Sequence, residues 1–354
     1  LDLEKIMFEP NTPAYIIAEI GANHNGDMAL ARKLIDAAKL AGADAVKFQS
    51  WDTTIFSKSV YDQNYFLGDD YRNRKDHTLK SIVEAFAMSP EQLTEMRDYC
   101  REVGIGFSST PFNVEQVDQL VRLGVKYIKV ASMDLNNPRL LRAAAGTGLP
   151  IVLSTGFGSL EEIDRAVRLI EAEGNRKIVI LHCISLYPPL DEEINLRNME
   201  TFRQAFGYPV GFSDHSIGIE IPLAALGLGA AVIEKHFTLD KTMFGWDHKV
   251  SADPAELAVI CRGRDRIHAA LGIARRVVGP RELQRRDEYR RSIVAARVIP
   301  AGKVIEDADL DFRRPGTGLN PMYAELIIGQ VARREIAEEE LLGLEMVSAQ
   351  GTVR

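Results

Sequence analysis

The chain is poor in cysteine, modest in aromatic residues and has no excess of positive charge. Three cysteines in 354 residues, Cys100, Cys183 and Cys261, are too few and too widely spaced for a disulfide framework or a closed zinc site. Lys and Arg number 43 against 50 Asp and Glu, a net charge of −7, so there is no basic footprint for nucleic acid. No apolar run approaches the roughly 18 residues of a membrane span. Leu1–Lys5 shows no basic stretch leading into an apolar core, so no secretory leader is expected and a cytoplasmic enzyme is. No GxGxxG follows the first apolar run, which counts against an open dinucleotide-binding sheet. What is present is ordinary: 46% apolar and 26% charged residues exclude disorder for most of the chain. The length fits two domains, or one large α/β domain with an appendage.

Over the first 270 or so residues, short apolar runs alternate with longer amphipathic stretches. The runs are 15–20, 45–49, 105–109, 127–131, 151–153, 178–183, 210–212 and 232–236. Helical spacing marks 28–41, 90–103, 114–123, 138–145, 160–173, 196–206, 220–229 and 254–271. Ser89-Pro90-Glu91, and Ser159 with Glu162, are helix starts, and Gly42, Gly124 and Gly229 follow helix ends. Eight strand–helix units predict a (β/α)8 TIM barrel over 1–274, with an open doubly wound sheet as the competitor. Residues 51–87, with Trp51, Tyr61, Tyr65, Phe66 and Tyr71, form an insertion expected to act as a lid or wall at the barrel mouth. A charged linker helix is expected over 275–290, and a small, mostly β domain over 291–354.

Strand side chains alternate, so parity predicts which residues face the barrel interior, and TIM-barrel sites lie at strand C-terminal ends. Lys47 and Lys129 each interrupt an apolar run. A buried ammonium requires an anion. With Ser132, Ser154 and Ser213 these lysines make a phosphate or carboxylate site. Glu19 or Glu234 is the alternative, local partner. Lys235 has the opposite parity and is expected to face the helices. His215 and His236 are one strand–helix unit apart and share parity, so both rings are expected at one height on neighbouring strands. Such a pair suits a borderline divalent ion with open positions rather than a structural zinc. His24, His182 and His248 are lesser candidates, and His77 and His268 are expected to take no part. In the loop after the eighth strand, Asp247 and His248 are placed to hold a polar substrate beside Trp246.

The ordered set AEIGANHNG, KFQ, SSTPF, KVAS, LSTG, HCISLYPP, GFSDHSIG and EKHFTLD resembles the N-acetylneuraminate (sialic acid) synthase family. The C-terminal RRSIVAARVIPAGKVI and RRPGTGLNP resemble its antifreeze-protein-like SAF domain. The resemblance implies condensation of phosphoenolpyruvate with an N-acyl hexosamine, by C–C bond formation with phosphate release, in a domain-swapped homodimer. It implies that Lys47, Lys129, Ser132, Ser154, Ser185 and Ser213 hold phosphoenolpyruvate. His215 and His236 would bind Mn2+, with Mg2+ or Co2+ as alternatives. Glu19, Gln49, Tyr187 and Asp247 would surround the sugar, Thr110 and Phe112 would add substrate contacts, and Arg314 would reach in from the partner. Glu19, Asp134 and Glu234 are the expected catalytic carboxyls, Asp134 or Glu234 activating water.

Asp134 stands where many relatives carry glutamate, Ser185 where some carry asparagine, and GWDH replaces a Gly-Pro-Asp pattern. All three border the substrate, so N-acetylmannosamine stands beside a 6-phosphorylated acceptor and the acceptors of legionaminic or pseudaminic acid synthesis. A different metal-dependent barrel aldolase or 3-deoxy-sugar-acid synthase would use the same residues without a SAF domain. An ice- or polysaccharide-binding protein is the non-enzymatic alternative, disfavoured by the charges at Glu306, Asp307, Asp309, Asp311, Arg313 and Arg314.

Overall fold

Parity decides what fills the barrel. In the computed structural model, which describes residues 8, 9, 11–63 and 77–349, eight parallel strands form one sheet. They are β1 (Tyr15–Gly21), β2 (Ala45–Gln49), β3 (Gly106–Thr110), β4 (Ile128–Val130), β5 (Ile151–Ser154), β6 (Ile178–Cys183), β7 (Val210–Asp214) and β8 (Val232–His236). Their order is β3-β2-β1-β8-β7-β6-β5-β4, and β3 and β4, the two ends of that order, lie against each other, so the sheet closes. This is the expected TIM barrel.

Inward residues of the lower strands form an apolar floor: Tyr15, Ile17, Ala45, Tyr127, Val152, Val179, Leu181 and Val232. At two strand positions there is room only for glycine. A Cβ at Gly106 would lie 2.9 Å from the Tyr15 hydroxyl, and one at Gly211 2.6 Å from Leu181 Cδ2. Outward residues such as Ile16, Val46 and Ile128 pack under the helices with Leu34, Ile35, Met96 and Leu120. Each such side chain contributes about 1.5–3 kcal/mol by leaving water.

The capped helix starts fall where the sequence places them. Ser89 and Ser159 close capping boxes with Gln92 and Glu162, each cap worth about 1 kcal/mol. Gly42 and Gly124 end helices Met28–Ala41 and Val114–Leu123 at φ of 95° and 76°, a region costly for residues with a Cβ. Several boundaries move: β3 and β7 run on to Thr110 and Asp214, and the helix expected from 196 is Asn198–Phe206. The 51–87 insertion carries helices Lys58–Asp62 and Leu79–Phe86; Tyr65, Phe66 and Tyr71 lie outside the described residues. No helix among the described residues is long and apolar enough to cross a membrane.

A second unit begins after Gly272. The expected linker helix is shorter, Pro280–Tyr289, with proline at its first turn, and belongs to this unit. Strand β9 (Ser292–Ala295) pairs antiparallel with β10 (Leu310–Arg313), and β11 (Val331–Ala332) with β12 (Val347–Ser348). Ile293, Ile299, Ile305, Ile327, Ile336 and Leu342 form its core.

Candidate active site

One layer above the apolar floor the inward residues become charged. Register sets Glu19 of β1 beside Lys47 of β2 and His236 of β8, and Ser213 of β7 beside Glu234 of β8. Lys47 Nζ lies 2.6 Å from Glu19 Oε2 and 3.7 Å from Glu234 Oε2, and donates to Thr110 Oγ1 at 2.7 Å. Lys129 Nζ lies 3.8 Å from Glu234 Oε1 and donates to Ser154 Oγ at 2.7 Å. Ser213 donates to Glu234 Oε1 at 3.0 Å, and Gln49 to Glu19 Oε1 at 3.1 Å. The lysines therefore take the local carboxylate partners, with hydroxyls around them.

Charge is distributed unevenly in this layer. Burial pushes the Glu19 carboxyl up to about 7, against the pull of Lys47 and with a further push from Glu234. Burial pushes Glu234 upward too, but Lys129 and Lys47 overrule it and hold that carboxyl below its ordinary range. Burial lowers the Lys129 ammonium. Asp134, on the turn Ser132–Asp134, is raised by burial; its Oδ1 accepts from Asn137 at 2.9 Å, while its buried Oδ2 has no hydrogen-bond partner.

A second cluster sits over β4–β6. The Gly156 N–H donates to Ser132 Oγ at 3.0 Å, and Ser132 and Ser185 lie 3.5 and 3.7 Å from Cys183 Sγ. A Cβ on Gly156 would collide with Ser185 Oγ and lie 2.7 Å from Ser132 Oγ, so glycine keeps the two hydroxyls together.

His215 and His236 meet as their spacing predicts, with ring centroids 5.4 Å apart. Tyr187 stacks on His215 at 4.0 Å, and Asp247 Oδ2 is 3.7 Å from His236 Nδ1. His215 Nδ1 is bound to the Ile184 carbonyl at 2.8 Å, which leaves Nε2 as its ligating atom. Burial holds His236 neutral, and its buried Nδ1 has no hydrogen-bond partner. Two imidazoles, one with an orphaned nitrogen, fit a divalent ion. Among the described residues no set of three His, Cys, Asp or Glu side chains completes a cage, so water or substrate would fill the other positions.

Other expectations divide. Lys235 faces away from the barrel interior, as its parity requires, and pairs with Asp214 at 2.8 Å. His24, His182 and His248 are buried structural groups: His24 accepts from Gly26 N at 3.1 Å, His182 is 2.5 Å from the Ile194 carbonyl, and His248 is 2.7 Å from Thr238 Oγ1. His77 stacks on Phe244 with centroids 5.7 Å apart. Phe112 joins an aromatic cluster with Trp51, Phe86, Phe244 and Trp246 instead of the charged layer. Trp51 and Trp246 pack edge to face at 4.9 Å, which sets the start of the insertion against the loop after β8. Arg314 belongs to the C-terminal unit, its guanidinium 5.2 Å over Tyr289. Sequence reasoning placed Asn23 at the end of the first strand without a role, and missed Gly156, Cys183 and Asn25; the dense polar run ANHNG after β1 was the available signal for Asn25.

A closed barrel carrying buried acids, bases and imidazoles at its strand ends has the architecture of a TIM-barrel enzyme. The chain belongs to the NeuB family, whose model matches residues 34–276, and a SAF domain matches residues 290–348. It is 38% identical to N,N'-diacetyllegionaminic acid synthase of Campylobacter jejuni, over 92% of this chain and 98% of that one. It is 35% identical to human N-acetylneuraminate-9-phosphate synthase, over 83% of this chain and 81% of that one. The structure is similar to that of N-acetylneuraminic acid (sialic acid) synthetase from Leptospira borgpetersenii in complex with citrate. There the TM-score is 0.67 at 35% identity, covering 77% of this chain and 90% of that one.

Proposed function

We propose that the protein is a sialic-type (nonulosonic) acid synthase that condenses phosphoenolpyruvate with an N-acyl hexosamine such as N-acetylmannosamine. The carrying observation is the convergence of Lys47, Lys129, Glu19, Glu234, His215 and His236 at the strand ends of a barrel whose relatives bear such names. In this reaction the enol C3 bonds to the aldehyde carbon of the open-chain sugar. Water adds at C2, and the C2–O bond to phosphorus breaks to release inorganic phosphate.

Lys47 and Lys129, with Ser132, Ser154, Ser185 and Ser213, would hold the carboxylate and phosphate of phosphoenolpyruvate. The lysine contacts to Glu234, at 3.7 and 3.8 Å, are loose, so an arriving anion engages the ammonium protons without breaking a short bond to that residue. Preorganised donors of this kind stabilise developing charge in a site shielded from water. Glu234, held ionised, is suited to accept a proton from the attacking water, with Asp134 as the other candidate base. Glu19, at about 7, is suited to give or take a proton near neutrality. Glu19, Gln49, Tyr187 and Asp247 would surround the sugar. A divalent ion, Mn2+ foremost, held by His215 and His236 would polarise the aldehyde as a Lewis acid.

The working form we propose is a domain-swapped homodimer in which Arg314 of one chain serves its partner's acceptor end. The barrel leaves Met133, Phe157, Leu186, Leu190 and Ile217 exposed on the loops after β4–β7, an apolar rim suited to a covering partner. The test is a panel: purified chain, phosphoenolpyruvate, Mn2+ and hexosamines that differ in acyl group and phosphorylation, with phosphate release as readout. Release that depends on one N-acyl hexosamine is the expected result; none with any acceptor overturns the proposal.

A further inference from the structure

The run Asn23-His24-Asn25 is used by none of the steps above, yet it ties the loop after β1 to the loop after β8. Asn23, 1% exposed, donates through Nδ2 to the Phe237 carbonyl and to Ser251 Oγ, both at 2.9 Å. Ser251 in turn donates to the Asp247 carbonyl at 2.6 Å. Asn25 spans the same seam with both ends of its amide: Nδ2 donates to the Phe244 carbonyl at 2.8 Å, and Oδ1 accepts from His248 Nε2 at 3.2 Å. The other ring nitrogen of His248 lies 2.7 Å from Thr238 Oγ1, beneath the surface. Burial brings His248 down to about 4, so the ring is neutral and one nitrogen is free to accept while the other donates. Gly245 belongs to the same arrangement. A Cβ there would strike His248 Cδ2 and lie 2.7 Å from His248 Nε2 and 3.1 Å from Asn25 Oδ1.

Asp247 thus lies in a segment held at 244, at 248 and at its own carbonyl, and its carboxylate is 3.7 Å from His236 Nδ1. We propose that Asn25 is a positioning residue: by bridging the Phe244 carbonyl and the His248 imidazole it fixes Asp247 beside His236 and thereby sets affinity for the polyhydroxylated acceptor. The proposal rests on the acceptor reading of the preceding subsection. Backbone groups and a neutral imidazole make a directional clamp, and loss of such outer support typically costs about 10–100-fold at the site it orients.

The test uses the full-length chain and two perturbations from opposite sides of the seam, Asn25→Asp and Gly245→Ala. The first keeps the size and the acceptor oxygen but loses the donor to Phe244; the second crowds His248 from its own loop. Both are expected to raise KM for the acceptor about tenfold, with KM for phosphoenolpyruvate nearly unchanged. Both should also speed hydrogen exchange at residues 244–251 while leaving the strand amides of β5 and β6 protected. Unchanged exchange in that segment overturns the clamp, whatever the substrate. Faster exchange with an unchanged acceptor KM overturns the positioning role. A wild-type chain that turns over no hexosamine removes the acceptor reading and this proposal with it, and is recognised without any variant.

Discussion

Glu234 in the barrel and Asp309 in the C-terminal unit are both buried carboxylates facing two cations, but they are completed differently. Asp309 is fully satisfied: Oδ1 accepts from Arg297 at 2.7 Å and Lys303 at 2.5 Å, and Oδ2 from the Glu306 N–H at 3.0 Å. Glu234 has Ser213 on Oε1 at 3.0 Å, but its cations stand off at 3.7 and 3.8 Å and its buried Oε2 has no hydrogen bond. Satisfied buried charge fixes a fold. Buried charge left incompletely paired is costly by itself and is found where a ligand completes it.

The largest effect that tests this contrast is Glu234→Gln. The amide keeps an acceptor for Ser213, so phosphate release is expected to fall at least about 100-fold while the melting temperature stays close to wild type. A large loss of stability with unchanged turnover would make Glu234 a structural group like Asp309. Next comes Arg314. If the proposed swapped dimer forms, Arg314→Ala and His236→Ala chains, each nearly inactive alone, should recover part of the activity when mixed, because such heterodimers would contain one intact site. Failure to recover any would place the arginine in its own chain's chemistry or outside it.

Asp309→Ala reverses the first outcome. It strips the bonding partner from Arg297, Lys303 and the Glu306 N–H, and should destabilise the C-terminal unit by on the order of 2 kcal/mol in denaturant titrations. The two units should also respond oppositely to pH. Asp309 is held down to about 2 against the push of burial, chiefly by its hydrogen bonds from Lys303, the Glu306 N–H and Arg297. Its stabilisation is therefore complete above the ordinary aspartate range and is lost as pH falls from about 4 through about 2. Glu19, raised to about 7, contributes stability that is present below about 4.5 and lost as pH rises through 7. Replacing Glu19 with Gln should flatten the barrel's pH dependence over that interval, seen in melts followed unit by unit, and an unaltered slope would assign it to another group. The smallest effect expected is from Ser213→Ala, about tenfold in turnover, through loss of a single bond to Glu234.

Much of the site was legible because strands repeat every two residues. Parity alone put Lys47, Lys129, Ser154, Ser213, Glu234 and His236 inside and Lys235 outside, and the structure agrees at each position. The spacing of His215 and His236 worked for the same reason, one strand–helix unit returning the chain to the same height. What parity does not carry is pairing. That Lys47 takes Glu19 at 2.6 Å, that Lys235 takes Asp214, and that Cys183 lies 3.9 Å from His215 Nδ1 depends on rotamers and on the size of neighbouring residues. Asn25 was harder still, since its partners lie 219 and 223 residues away on a loop with no periodicity.

Taken by itself, the sequence determined the alternation of strand and helix, the helix caps and the inward face of each strand. These follow from local sterics and from periods of 2.0 and 3.6 residues, which are written into consecutive positions. Closure of the ring decided the rest. It brought β1 and β8 together across more than 200 residues, set which lysine shares which carboxyl, and moved Glu19 and Glu234 in opposite directions from ordinary glutamates. Burial and the distance between charges exist only once the strands are assembled, and they alone set the protonation of that layer.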